Sequence, residues 1–96
     1  MADSTNSRAR ARIWVSGRVQ GVGYRAFARA EAVRQGLSGG VRNLDDGRVE
    51  VDVEGARATI EGFLGSLRTG PSLSRVTDVD IRWEAPTGRP AGFQIW

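Results

Sequence analysis

Residues 11–37 have the sequence ARIWVSGRVQGVGYRAFARAEAVRQGL, in which the spacing of apolar residues changes along the segment. Ala11, Ile13 and Val15 alternate with polar or larger exposed positions and predict a half-buried strand. A glycine-rich loop follows at 17–23, and a helix is predicted from Tyr24 to Gln35 with Gly36 as its stop. The helix stripe expected to face the core comprises Tyr24, Phe27, Ala30 and Val33, followed by Leu37.

Four more strands and a second helix are predicted after this segment. They are a strand at 39–44, a strand at 48–54, a helix ending near Gly70-Pro71, a strand at 78–83 and a short fifth strand at 92–96. Asp46-Gly47 is typical of a two-residue hairpin turn, and Ile60, Phe63, Leu64 and Leu67 form the apolar stripe of the second helix. The order β-α-β-β-α-β predicts an α+β, ferredoxin-like sandwich with two helices on one face of an antiparallel sheet.

The other sheet face is expected to be charged and exposed to solvent. Its predicted residues are Arg10, Arg12, Glu50, Asp52, Glu54, Asp78 and Asp80. Opposite charges on neighbouring strands can pair at roughly 0.2–1 kcal/mol each. The spacing of the carboxylates is strand alternation, which favours pairing with arginine over a metal or acid/base site.

Composition restricts the chemistry. The 96 residues include 14 Lys+Arg, all arginine, against 11 Asp+Glu, which gives a net charge of +3. The absence of His, Cys and Lys excludes Ser-His and Cys-His nucleophiles, thiolate or imidazole metal sites and Schiff bases. An enzyme with this sequence would work with arginine, asparagine, carboxylates, backbone dipoles and water.

The N-terminal residues bear on where the protein is located in the cell. Residues 1–8 are small and polar and predict a disordered tail ahead of one domain at 9–96. They contain no apolar secretory segment, and no stretch of 18 apolar residues occurs in the sequence. We expect a soluble, cytoplasmic monomer that binds no membrane.

The loop at 16–25 is the first candidate site. Glycines at 17, 21 and 23 let the backbone approach a ligand closely, and the loop leads into a helix start, where the dipole favours an anion. Arg25 lies in the first helical turn, where a cation is poorly placed unless something negative offsets it. A phosphate group fits this combination, while a tight turn with an exposed arginine is the structural alternative.

Asn43 is the second candidate. In the predicted topology the first and second strands are parallel and end on the same side of the sheet. Alternation places Asn43 on the face that the helices cover, close to the helix start and Arg25. Its structural alternative is a turn-capping asparagine before Asp45-Asp46-Gly47.

The segments 15–25, 36–43 and 46–49, together with Gly-Phe-x-Ile at 92–95, resemble the acylphosphatase family over nearly the whole chain beyond the tail. The resemblance implies a hydrolase of acyl phosphates that uses no metal and no cofactor, with inorganic phosphate or sulfate as competing anions. It implies that Arg25 binds the phosphate and that Asn43 positions the attacking water. The phosphate-binding residues implied are Gln20, Gly21, Val22, Gly23, Tyr24 and Arg25.

Two positions depart from the pattern of that family. Tyr24 replaces a frequent Phe, which matters little if its hydroxyl reaches solvent. Gly40 stands where the family usually has an aromatic residue. The loss of that packing predicts a less tightly packed second strand and a less precise orientation of the Asn43 side chain.

The sequence leaves two other functions open beside the enzyme. A non-catalytic anion-binding or carbamoyl-phosphate module would resemble the acylphosphatase-like domains of larger hydrogenase-maturation proteins. An RNA-binding ferredoxin-like domain is disfavoured because the aromatic RNP1 string is missing and the arginines are interleaved with acids. No nucleic-acid partner is therefore expected.

Overall fold

Five strands and two helices make up residues 7–96, the part of the chain that the computed structural model describes. They are β1 (Arg8–Arg18), α1 (Tyr24–Arg34), β2 (Ser38–Asn43), β3 (Val49–Ala56), α2 (Arg57–Thr69), β4 (Arg75–Glu84) and β5 (Phe93–Ile95). The predicted ferredoxin-like order and the short fifth strand are confirmed. Residues 1–6 of the predicted tail lie outside the described residues, and Arg8 already belongs to β1.

The strand order of the sheet is β4-β1-β3-β2-β5. β3 lies between β1 and β2 and is antiparallel to both, so β1 and β2 run in the same direction and finish at the same end of the sheet. β5 pairs with β2 in parallel, with Val41 opposite Ile95. The sheet is therefore mixed: β1 to β4 form the predicted antiparallel sheet, and the short fifth strand adds a parallel edge. The chain crosses the sheet after β4 and then enters β5 in the direction of β2.

The two helices cover one face of the sheet and enclose the core. The predicted stripe of α2 is confirmed, because all four of its apolar residues are buried. In α1 the buried residues are Tyr24, Ala28 and Ala32, whereas Val33 is 54% exposed. The predicted stripe of α1 is wrong at Ala30 and Val33, which are both exposed. Nine residues are about two and a half helical turns, which places Val33 opposite Tyr24.

The opposite face of the sheet carries the expected ion pairs. Arg12 pairs with Glu50 at 3.0 Å, and Arg10 pairs with Asp52 at 2.7 Å. The three carboxylates of β3 are nevertheless buried rather than exposed to solvent. Asp78 and Asp80 make no salt bridge to any residue in the 7–96 range, since their partners across β4 and β1 are Ser16 and Trp14.

Residues 85–92, here called the strap, connect β4 at one edge of the sheet to β5 at the other. Glu54 is fully buried and accepts hydrogen bonds from Thr87 N at 3.0 Å, Thr87 Oγ1 at 2.8 Å and Gly88 N at 2.6 Å. Asp52 accepts a further bond from Arg89 at 3.2 Å. Burial alone would raise the pKa of Glu54, but the bonds from Thr87 and Gly88 outweigh it and lower the pKa to about 2. The strap thus fixes where β5 begins.

Candidate active site

A cleft of about 220 Å³ opens where β1 and β2 finish. It is lined by Val19, Gly21, Gly23, Tyr24, Arg25, Ala26, Asn43 and Ile95. Arg25 comes from the start of α1 and Asn43 from the end of β2, and the parallel course of β1 and β2 brings the two residues together. The cleft therefore contains both residues that the sequence singled out for chemistry.

The loop between β1 and α1 forms one wall of the cleft. Val19 is buried and fastens the loop to the core, while Gly21 and Gly23 have φ values of 73° and 79°. Gly23 is the N-cap of α1, no side chain caps the helix, and its first backbone bond runs from Phe27 N to Gly23 O at 3.0 Å. The N–H groups of the first helical turn have no acceptor within the helix. Together with the helix dipole they favour an anion at this position.

Arg25 is exposed at the second residue of α1. The first turn of the helix contains no acidic residue to offset its charge. A guanidinium beside free backbone N–H groups suits an anion with several oxygens in fixed geometry, such as a phosphoryl group.

Gln20 fastens this wall to the rest of the site. Its side-chain amide donates to Leu44 O at 2.8 Å and to Arg48 O at 3.0 Å, both in the turn between β2 and β3. Neither Gln20 nor Val22 is among the residues that line the cleft. The side chain of Gln20 therefore connects the loop to the residue that follows Asn43.

Asn43 is the last residue of β2, where it pairs with Val49. Its Oδ1 atom is buried and has no hydrogen-bond partner among the described residues. The side chains that bond to the following turn are instead those of Gln20 and Asp46, which accepts from Arg48 N at 3.0 Å. Asn43 thus lines the cleft with a side chain whose Oδ1 bonds to no other described residue.

The hydroxyl of Tyr24 joins the two helices. Tyr24 is 1% exposed and donates to Leu67 O at 2.7 Å. The helical partner of Leu67 O would be residue 71, a proline without an N–H group, so Tyr24 satisfies a carbonyl that the helix cannot. Burial raises the pKa of Tyr24. This hydroxyl does not reach solvent, contrary to the condition under which the exchange with Phe was expected to matter little.

Gly40 is also buried rather than loosely packed. A Cβ atom at this position would overlap the indole ring of Trp96. The predicted loss of packing is wrong because a side chain from beyond β5 occupies the space beside Gly40.

Sequence reasoning missed Val19, Ala26 and Ile95 as lining residues. Ile95 could have been found by pairing the fifth strand with the second, because alternation then places it on the same sheet face as Val41 and Asn43. Within residues 7–96, no group of three or more acidic side chains is placed to hold a metal ion, and no helix is long and apolar enough to cross a membrane.

Comparisons of the sequence and of the structure with known proteins point to the same family. The sequence profile named acylphosphatase matches residues 11–95. An acylphosphatase of Roseiflexus sp. strain RS-1 is 53% identical over 91% of this chain and 94% of that protein. The crystal structure of acylphosphatase from Bacillus subtilis aligns with a TM-score of 0.88 at 39% identity, covering 92% of this chain and 98% of that one. The structure of HypF from T. kodakarensis aligns over 94% of this chain but 12% of its own, with a TM-score of 0.80 at 34% identity.

Proposed function

This chain belongs to the acylphosphatase family, and from that premise we propose how its cleft hydrolyses an acyl phosphate to a carboxylate and inorganic phosphate. The observation that carries the proposal is that one cleft is lined by Arg25 and by Asn43, whose Oδ1 has no hydrogen-bond partner among the described residues. One is a cation suited to the phosphoryl group, and the other is an acceptor suited to water.

Arg25 and the backbone N–H groups of residues 20–25 bind the phosphoryl group in this proposal. The uncapped start of α1 and the two left-handed glycines support it, because they leave N–H groups without acceptors beside the guanidinium. In phosphoryl transfer, charge spreads over the equatorial oxygens of the transferred group, and fixed donors stabilise that charge. Inorganic phosphate or sulfate should compete for the same donors.

Asn43 orients the attacking water in this proposal. Its Oδ1 accepts a hydrogen bond from the water, which fixes one O–H direction and turns a lone pair of the water oxygen toward phosphorus. Gln20 supports this role, since its two hydrogen bonds hold the phosphate-binding loop against the turn that follows Asn43. Positioning of this kind converts a bimolecular attack into one between groups already in place.

The nature of the leaving group explains why Arg25, Asn43 and the backbone N–H groups are sufficient for this hydrolysis. An acyl phosphate expels a carboxylate, whose conjugate acid has a pKa of about 4, so no general acid is needed near neutral pH. The proton released by the attacking water passes to a phosphate oxygen or to solvent. We therefore propose a reaction without metal or cofactor.

The other two functions are not favoured. The relatives matched over nearly their whole length are named acylphosphatase, which disfavours a non-catalytic anion or carbamoyl-phosphate module. RNA binding to the open sheet face is disfavoured because the β1 arginines on that face are paired with carboxylates, as in Arg10–Asp52 and Arg12–Glu50. A monomeric state and a cytoplasmic location stay predictions from the sequence.

Hydrolysis of benzoyl phosphate with and without a chelator tests the proposal. We expect turnover that survives chelation and is lost in Arg25→Ala, with a folded Arg57→Ala variant as the matched control, since Arg57 lies on α2 outside the cleft. Strict dependence on added metal, or full turnover in Arg25→Ala, would contradict it.

A further inference from the structure

An apolar side chain completes the cleft opposite its polar groups. Ile95, the last residue of β5, lines the same cleft as Arg25 and Asn43 and is 44% exposed. Arg25 and Asn43 account for the phosphoryl group and the water, whereas Ile95 has no role in either. An exposed apolar residue beside a phosphate site is suited to the organic part of a substrate.

The end of β5 is held in place by Trp96. Trp96 N donates to Val41 O at 2.8 Å, which extends the pairing of β5 with β2 by one bond. The indole ring lies directly against Gly40, in the space that any side chain there would fill. Because successive residues of a strand point to opposite faces of the sheet, the Trp96 ring packs on β2 from the face opposite to the Ile95 side chain.

The two ends of β5 are anchored differently. At its start, Phe93 is buried in the core, and Arg29 Nε donates to Phe93 O at 3.1 Å. At its finish, Ile95 is partly exposed, and the next anchor is Trp96 on Gly40 and Val41. The position of Ile95 therefore depends on its pairing with Val41 and on the contact between Trp96 and Gly40 that follows it.

We propose that Ile95 contacts the acyl group of the substrate and that Trp96 is the positioning residue that holds Ile95 there. The inference rests on the proposed function, because it assumes that the phosphoryl group lies at Arg25. It assigns the substrate class as acyl phosphates with a bulky apolar acyl group, in preference to those with a small one. All acyl phosphates share the phosphoryl group and differ in the acyl group. Ile95 should therefore affect the discrimination between acyl groups and not the binding of phosphate.

The test compares kcat/KM for benzoyl phosphate and acetyl phosphate in Ile95→Ala. Removing apolar contacts of this size costs about 10-fold in specificity, so we expect that loss on benzoyl phosphate and little change on acetyl phosphate or on inhibition by inorganic phosphate. Leu73→Ala is the matched control, because Leu73 is 72% exposed and does not line the cleft. An equal loss on both substrates, or no loss on benzoyl phosphate, would overturn the role of Ile95.

The role of Trp96 is tested by its coupling to Gly40. Trp96→Ala should lower the preference for benzoyl phosphate, and Trp96→Phe should restore most of it. Gly40→Ala should reduce the preference when Trp96 is present, because the new methyl group displaces the indole ring. In Trp96→Ala the same substitution should have no further effect. Additive effects of the two substitutions, or a preference that Trp96→Ala leaves intact, would overturn it.

Failure of this inference is distinguishable from failure of the proposed function. If the unmodified chain hydrolyses neither substrate, the proposed function fails and the inference fails with it. If it hydrolyses both and Ile95→Ala retains the parent preference, only the inference fails.

Discussion

Replacing Asn43 with alanine separates the orientation of water from the binding of phosphate. The substitution removes Oδ1, a buried acceptor without a partner among the described residues. A buried acceptor that lacks a hydrogen bond typically costs about 1–3 kcal/mol. We therefore expect Asn43→Ala to keep or raise the melting temperature, because the folded state loses no bond made by Oδ1.

Turnover should respond in the opposite direction. Loss of one preorganised polar contact to a reacting centre lowers kcat on the order of 10²–10³. The inhibition constant of inorganic phosphate should stay unchanged, because Arg25 and the loop remain. Steady-state kinetics with benzoyl phosphate, phosphate inhibition and a thermal melt measure the three quantities on one preparation.

Gln20→Ala is the matched control for a structural effect at the same place. It removes two hydrogen bonds to the turn after β2, each typically worth about 1 kcal/mol, so its melting temperature should fall. A kcat of Asn43→Ala within about threefold of the parent, far less than the loss expected for such a contact, would refute the role of Asn43. A melting temperature of Asn43→Ala that falls as far as that of Gln20→Ala would also refute it, because Asn43 would then have a structural role in the turn.

Three further predictions concern other parts of the molecule. Inorganic phosphate at a hundred times its dissociation constant should stabilise the folded chain by roughly 2.7 kcal/mol, seen as a higher melting temperature. This stabilisation should vanish in Arg25→Ala. It should be only partly restored in Arg25→Lys, because an ammonium group lacks the planar, bidentate geometry of a guanidinium. Tyr24→Phe leaves Leu67 O without its donor, so unfolding should be easier by about 1–3 kcal/mol, measured by denaturant titration; an unchanged midpoint would contradict the helix-joining role. The pKa of Glu54 is lowered from 4.5 to about 2 in the folded chain, so its contribution is complete above pH 4.5 and is lost as pH falls toward 2. Glu54→Gln should be less stable at neutral pH and should lose less stability over that window than the parent, as followed by melts at each pH.

The fold and the location of the cleft were predictable because they follow from local patterns. Alternation in the strands, the turn at Asp46-Gly47 and the stripe of α2 each specify one element. The rule that a helical crossover joins parallel strands then brings Arg25 and Asn43 to one end of the sheet. These features depend on residues close in sequence or on a general topological rule.

The features that could not be predicted depend on contacts between distant segments. Pro86, Gly88 and Pro90 indicate a linker, but nothing in them shows that its backbone would bury Glu54. The bond from Tyr24 to Leu67 depends on the relative position of two helices, which periodicity does not define. The contact between Trp96 and Gly40 likewise joins segments that only the parallel pairing of β5 brings together.

The course of the strap has a consequence for the order in which the enzyme assembles. The strap crosses a surface that exists only once β1, β3 and β2 are paired, so β5 has nowhere to dock before then. Arg25 and Asn43 belong to segments that precede the strap, whereas Ile95 follows it. The side of the cleft proposed to hold the phosphoryl group therefore comes from the central sheet and α1, and the side proposed for the acyl group depends on the strap to bring β5 into place.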